Sequence, residues 1–236
     1  SIISNRAEVE RLPNNYPYYT RPLKEEWPTI KKILFKKKIK QTEIAYCELS
    51  IKRKITGYTN IKIGAESSKG DKNLLNEPLQ YSFNTKGLIF KAPTPIKNLI
   101  STKNILDLEA SSFHAVEHVI IEGTNMITGG TLSEMGGISL GNSGMIFIYD
   151  GSSGGNGATR ILYYKLDEAL QRSLTILKEC TCTSEDGCPR CTYSYRCGNN
   201  NEFLNRNGAT EVLRLIIEGE KTNLNIEINP EWRPLV

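Results

Sequence analysis

The stretch Cys180-Thr-Cys182-Thr-Ser-Glu-Asp-Gly187-Cys188-Pro-Arg-Cys191-Thr-Tyr193-Ser-Tyr195-Arg196-Cys197 holds five of the six cysteines of the 236-residue chain. Disulfide frameworks spread their bridges over small secreted chains, whereas close Cys pairs in a chain with no export signal bind metal in a reducing compartment. Two close pairs across a short loop supply four thiolates to one tetrahedral Zn2+, and Gly187 and Pro189 give the second pair its tight turn. The expected ligands are Cys180, Cys182, Cys188 and Cys191, with Cys197 able to replace one of the first pair. An iron–sulfur cluster uses the same ligand type. Four thiolates leave no open position for water, so the zinc is expected to be structural. Cys47, in a strand-like segment, reads as a small buried hydrophobe.

Working outward, the cysteines follow the clearest helix of the chain, where Leu162, Leu166, Leu170, Leu174 and Leu177 make one stripe flanked by Ala169 and Ser173. A further helix over 209–218 carries Val212, Leu213 and Ile216 inward and stops at Gly219. Upstream, Phe113, Val116 and Ile120 recur at helical spacing. Gly129, Gly130, Gly136, Gly137, Gly141 and Gly144 interrupt any helix, and Met145-Ile-Phe-Ile-Tyr149 reads as a buried strand ending in Asp150. Residues 1–100 read as strands and turns: 43–51, 81–85 and 87–91 are strands, 66–73 is an exposed loop, and Ala92-Pro-Thr-Pro95 is a stiff connector. The expectation is an α+β chain, with an antiparallel β-rich module over 1–100, as open sheet or small barrel, and a helical zinc module over 101–236.

The composition, 39% hydrophobic and 24% charged, is that of a globular protein. No apolar run reaches the roughly 18 residues of a membrane span, so no membrane partner is expected. The net charge is +4, but residues 1–60 carry +7 and the remainder −3. Such a local surplus suits a polyanion against one face. Its centre is Lys31-Lys-Ile-Leu-Phe-Lys36-Lys37-Lys38-Ile-Lys40, which reads either as a solvated edge strand or as a phosphate-contacting one. Arg190, Tyr193, Tyr195 and Arg196 combine guanidinium charge with stacking faces beside the knuckle, as single-strand binders do.

Two further motifs attract attention. His114-Ala-Val-Glu117-His118 matches a pattern in which two histidines one turn apart ligate zinc and the glutamate is a base, which makes a metal-dependent hydrolase the rival reading. Asp150-Gly-Ser-Ser-Gly154-Gly155-Asn-Gly157 lacks the Lys-Ser/Thr ending of a nucleotide loop, so its glycines are expected to make a sharp turn that Asp150 caps.

Taken together, Phe113-His114-Ala-Val-Glu-His118, Ile146-Phe-Ile-Tyr-Asp150 with Gly154-Gly155-x-Gly157, and the cysteine signature running to Cys197-Gly198-Asn199 resemble the zinc-binding C-terminal region of a family of superfamily-2 DEAD/DEAH-type DNA helicases linked to repair of mitomycin and crosslink damage. The resemblance covers about 110–225, and more weakly the first half, through Tyr18-Tyr19-Thr20, Gly57-Tyr58 and Phe83-Asn-Thr85-Lys-Gly87. It implies an ATP-dependent translocase moving 3′ to 5′ on single-stranded or forked DNA, with a structural zinc in this region. The 236 residues contain no P-loop and no Asp-Glu-x-His or Asp-Glu-Ala-Asp box, so no catalysis is expected from them alone. Either they are the C-terminal piece of a longer helicase, which the abrupt strand-like start near Ala7 favours, or they form a subunit acting in trans with a motor, as in phage defence. A cytoplasmic location is expected, nucleoid-associated if the source is prokaryotic.

Overall fold

The β-branched and aromatic residues of the first half build strands far longer than the sequence segments suggest. A computed structural model of the chain describes residues 9–11, 17–62, 70–95, 105–128 and 135–220. In chain order these form β1 (Val9–Arg11), β2 (Pro17–Ile39), β3 (Thr42–Lys62), β4 (Asp71–Lys91), α1 (Ile105–Thr128), β5 (Met135–Ser139), β6 (Met145–Asp150), α2 (Ala158–Tyr164), α3 (Leu166–Glu179) and α4 (Arg206–Glu218). The strands make one six-stranded sheet in the order β1-β2-β3-β4-β6-β5, antiparallel throughout. The chain is therefore α+β, with an open antiparallel sheet rather than a barrel.

Segments 81–85 and 87–91 are a single strand. Gly87, which reads as a break, continues the ladder because a Cβ there would lie 2.6 Å from the Ile148 carbonyl oxygen and 2.8 Å from a Leu49 methyl. Of the expected 66–73 loop, residues 66–69 lie outside the described residues, and Asp71 already begins β4. Bulges near Leu23, Ile30, Ile33 and Ile55 let strands of 21 to 23 residues bend along their length. Beyond the Ala92–Pro95 connector, β6 returns to pair with β4, and β5 lies outside β6.

Alternation sorts the strand residues onto two faces. Ile44, Tyr46, Leu88, Phe90, Ile146 and Ile148 meet the helices, whereas Ala45, Cys47, Leu49, Ile89, Phe147 and Tyr149 form a second core. Cys47 is fully buried there, and that burial pushes its thiol up to about 12.

All five leucines of the stripe are buried, but the helix is divided. Lys165, at ψ 21°, leaves the helical range, and its N–H closes α2 on the Ile161 and Leu162 carbonyls. The break lets α3 cross α1 closely: a Cβ on Gly123 would sit 2.7 Å from Ser173 Oγ, which itself donates to the Val119 carbonyl at 3.0 Å. Among the described residues the interrupting glycines lie outside the α-helices, as expected, and two of them have a further use. Gly129 and Gly130 lie outside the described residues, but Gly136 and Gly137 belong to β5, where a side chain would collide with the Tyr149 ring and with Glu117. Asp150 caps α2 from seven residues away, accepting from the N–H groups of Gly157 at 3.0 Å and Thr159 at 2.8 Å.

Candidate metal centre

Residues 180–205 contain no helix or strand, so their position rests on side chains. The sulfurs of Cys180, Cys182, Cys188 and Cys191 all lie within 4.8 Å of one another. Zn–S bonds of about 2.3 Å in a tetrahedron place the sulfurs about 3.8 Å apart. The separations are 3.5 Å for Cys180–Cys188, 3.8 Å for Cys182–Cys191 and 3.8 Å for Cys188–Cys191, so the thiols fit zinc without rearrangement.

Donors converge on these sulfurs. The Cys188 N–H points at Cys191 Sγ at 3.2 Å and the Arg190 N–H at Cys188 Sγ at 3.4 Å. Arg206, at the start of α4, donates to Cys182 Sγ at 3.1 Å and to the carbonyls of Cys180 and Cys182. Burial works against a thiolate at Cys180, but the Cys182 N–H and the neighbouring thiols outweigh it and bring the group down to about 7. Cys191, more deeply placed, is pushed up to about 12 by burial and by the other thiols, so its proton leaves to solvent when a metal cation takes the sulfur.

Cys197 stands apart. Its sulfur groups with His114 and His118, all three buried, and lies 3.4 Å from His114 Nε2. Burial disfavours the charged forms of both, but each favours the other, so His114 rises to about 9 and Cys197 falls well below its ordinary value. Burial raises Glu117 despite the two nearby histidines. The H-x-x-E-H histidines thus face a cysteine 83 positions downstream of the first of them. The available signal was the fifth thiol, left over once four were used.

The loop after the knuckle is clipped to the sheet. Arg21, 1% exposed, donates to the Ser194 carbonyl at 3.0 Å and to Asn200 Oδ1, while the Lys24 N–H reaches the Gly198 carbonyl at 3.2 Å. Next to it Glu26 binds Arg53, whose guanidinium also reaches the hydroxyls of Tyr81 at 2.6 Å and Tyr149 at 3.1 Å. Sequence reasoning missed this network, since nothing local marks Arg21, Glu26 or Arg53 as buried.

The expected nucleic-acid residues fall into two places. β1 pairs only with 17–19, so beyond them β2 is a sheet edge among the described residues, and Lys36, Lys38 and Lys40 are exposed along it. Lys38 pairs with Glu43 at 3.2 Å, and Lys37 lies over the Tyr163 ring at 4.8 Å. Arg190 and Tyr195 are exposed beside the knuckle, whereas Tyr193 and Arg196 are half-buried. At about 3.3 Å per residue, the twelve positions from Lys24, where the knuckle loop docks, to Lys36 span at most about 40 Å.

The sequence profile of the MrfA Zn-binding domain matches residues 116–192, which take in α1 from Val116 and all four clustered cysteines. Uncharacterized protein MJ1572.1 of Methanocaldococcus jannaschii is 41% identical over 112 residues, amounting to 44% of this chain and 98% of that protein. The chain belongs to the MrfA Zn-binding domain family. The four-cysteine cluster is accordingly a zinc site. The fold is also that of the matching region of the DUF1998 helicase MrfA: its crystal structure bound to DNA superposes with TM-score 0.55 and 14% identity over 89% of this chain, and a second crystal structure with TM-score 0.51 and 14% identity over 83%. The chain spans 28% of the length of those helicase chains.

Proposed function

We propose that this chain is the zinc-stapled, non-motor region of an ATP-dependent DNA translocase, and that it guides a DNA strand for a motor held in the same polypeptide or in a partner. The observation that carries the reading is the fold match over 89% of the chain to a helicase crystallised on DNA, combined with an exposed lysine edge in a chain of modest net charge. Lys36, Lys37, Lys38 and Lys40 supply backbone-neutralising charge at one end of β2, and Arg190, Tyr193, Tyr195 and Arg196 supply stacking faces and charge near the other. At the roughly 3.4 Å per nucleotide of a duplex strand, the span of at most about 40 Å corresponds to about a dozen nucleotides, and a more extended single strand covers it with fewer. Single-stranded or forked DNA is the expected ligand, with movement 3′ to 5′ and a role in repair.

Zinc supplies a fixed cross-link in the knuckle. The protein's own part is to carry that rigidity outward, through Arg206 to α4 and through the Arg21 and Lys24 contacts to β2, so that the two DNA-facing clusters keep their spacing. The test is binding of oligonucleotides of increasing length at several salt concentrations. Affinity rises with length up to a plateau at no more than about a dozen nucleotides and falls with salt. Changing Lys36, Lys37 and Lys38 to Glu abolishes the binding and flattens the salt dependence. Undiminished, salt-insensitive binding by the triple variant would refute the reading.

A further inference from the structure

The second group of ligand atoms, formed by α1 and the loop after the knuckle, lies outside the four-cysteine site and has the features of a metal site in its own right. His114 and His118, one helical turn apart on α1, face each other edge to face with ring centroids 4.5 Å apart. His118 Nδ1 lies 2.7 Å from the Thr192 carbonyl oxygen, and His114 Nδ1 lies 3.1 Å and 3.2 Å from those of Glu202 and Phe203. A carbonyl only accepts, so both Nδ1 atoms carry a proton, and Nε2 is the atom each ring has left to offer a metal, which displaces any proton held there. Backbone carbonyls holding the far nitrogen are the usual support for histidines that ligate metal through the other.

The third ligand is Cys197. With Zn–S near 2.3 Å and Zn–N near 2.05 Å, a tetrahedral ion separates sulfur from nitrogen by about 3.6 Å. Cys197 Sγ stands 3.4 Å from His114 Nε2, and the three ligand atoms lie within 4.8 Å of one another. The Asn201 N–H donates to the same sulfur at 3.3 Å, as the Cys188 N–H does to Cys191 in the knuckle. All three residues are buried, at 8%, 7% and 6% exposure. Glu117, also buried, lies in the field of both histidines, its side chain seated where only a glycine at 137 leaves room.

We infer that His114 Nε2, His118 Nε2 and Cys197 Sγ bind a second zinc ion, which ties α1 to the post-knuckle loop and leaves a fourth coordination position for a water or other small ligand. Nothing in this inference depends on DNA binding or on a motor.

The experiment is metal analysis of the intact chain as purified, together with X-ray absorption at the zinc edge. The expected result is two zinc ions per chain, with average ligation that includes nitrogen as well as sulfur. Cys197→Ser and His118→Ala each lower the content from two to one, and the remaining ion is sulfur-ligated. One zinc per chain with sulfur-only ligation would overturn the inference, leaving a metal-free hydrogen-bonded cluster. A content of two that survives both substitutions would overturn it as well. Should either variant fail to fold, the stoichiometry and nitrogen ligation of the unaltered chain decide the matter alone.

Discussion

Replacing Cys188 with Ser tests how much of the fold hangs on the knuckle. Cys188 is its hub: the sulfur neighbours Cys180 and Cys191, and the carbonyl accepts from the N–H groups of Cys191, Thr192 and Tyr193. With one thiolate gone the zinc affinity collapses, and a contribution on the order of 10 kcal/mol is lost from the closed form of 180–205. The contacts this stretch lends to the rest go with it. They are the Cys180 and Cys182 carbonyls on Arg206, Thr192 on His118, Ser194 on Arg21, Gly198 on Lys24 and Asn200 on Gly70. At about 1 kcal/mol each, these six sum to about 6 kcal/mol. The leucine stripe against α1 and α4 and the sheet cores are untouched, so the damage is local opening rather than global unfolding. Hydrogen exchange read by mass spectrometry should show 180–205 unprotected in Cys188→Ser, with α1, α3 and β6 still protected and a total stability loss of about 6 kcal/mol. A variant with unaltered protection and stability would refute the reasoning.

Asp150→Ala leaves the Gly157 and Thr159 N–H groups without their acceptor at the start of α2, and should cost about 2 kcal/mol in urea unfolding with an unchanged slope. Burial alone would raise Glu26, but Lys24 and Arg53 outweigh it and hold the carboxyl below its unfolded value of 4.5. Its contribution is therefore fully present above about pH 4.5 and is lost as pH falls through the lower folded value. Glu26→Gln should flatten the acid limb of the stability profile and, by leaving Arg53 buried without its carboxylate, cost about 3 to 5 kcal/mol at neutral pH; an unchanged acid limb would contradict the assignment.

What the sequence disclosed were features carried by local spacing. The paired cysteines announced a tetrahedral site because their ligand geometry is satisfied within twelve residues, and the leucine stripe announced a buried helical face. Its division at Lys165 was invisible, since the stripe keeps its period across the break. Strand length was misread because Asn84, Thr85 and Gly87 have turn chemistry, whereas Gly87 is needed only to admit Ile148 and Leu49. The grouping of Cys197 with His114 and His118 is set by how α1 packs under the knuckle, and no local pattern encodes a contact across 83 positions. The same is true of Arg21 and Arg53, whose buried partners come from a distant loop and from other strands.

The most direct test of the central claim is to isolate the native polypeptide from its source cells and measure both its size and the DNA-stimulated ATP hydrolysis that travels with it. The account predicts a band far above 26.5 kDa that hydrolyses ATP, or a band at 26.5 kDa held by an ATP-hydrolysing partner, with activity in either case lost on chelating zinc. A free 26.5 kDa chain with no ATPase bound to it, at physiological salt and with zinc intact, would contradict it.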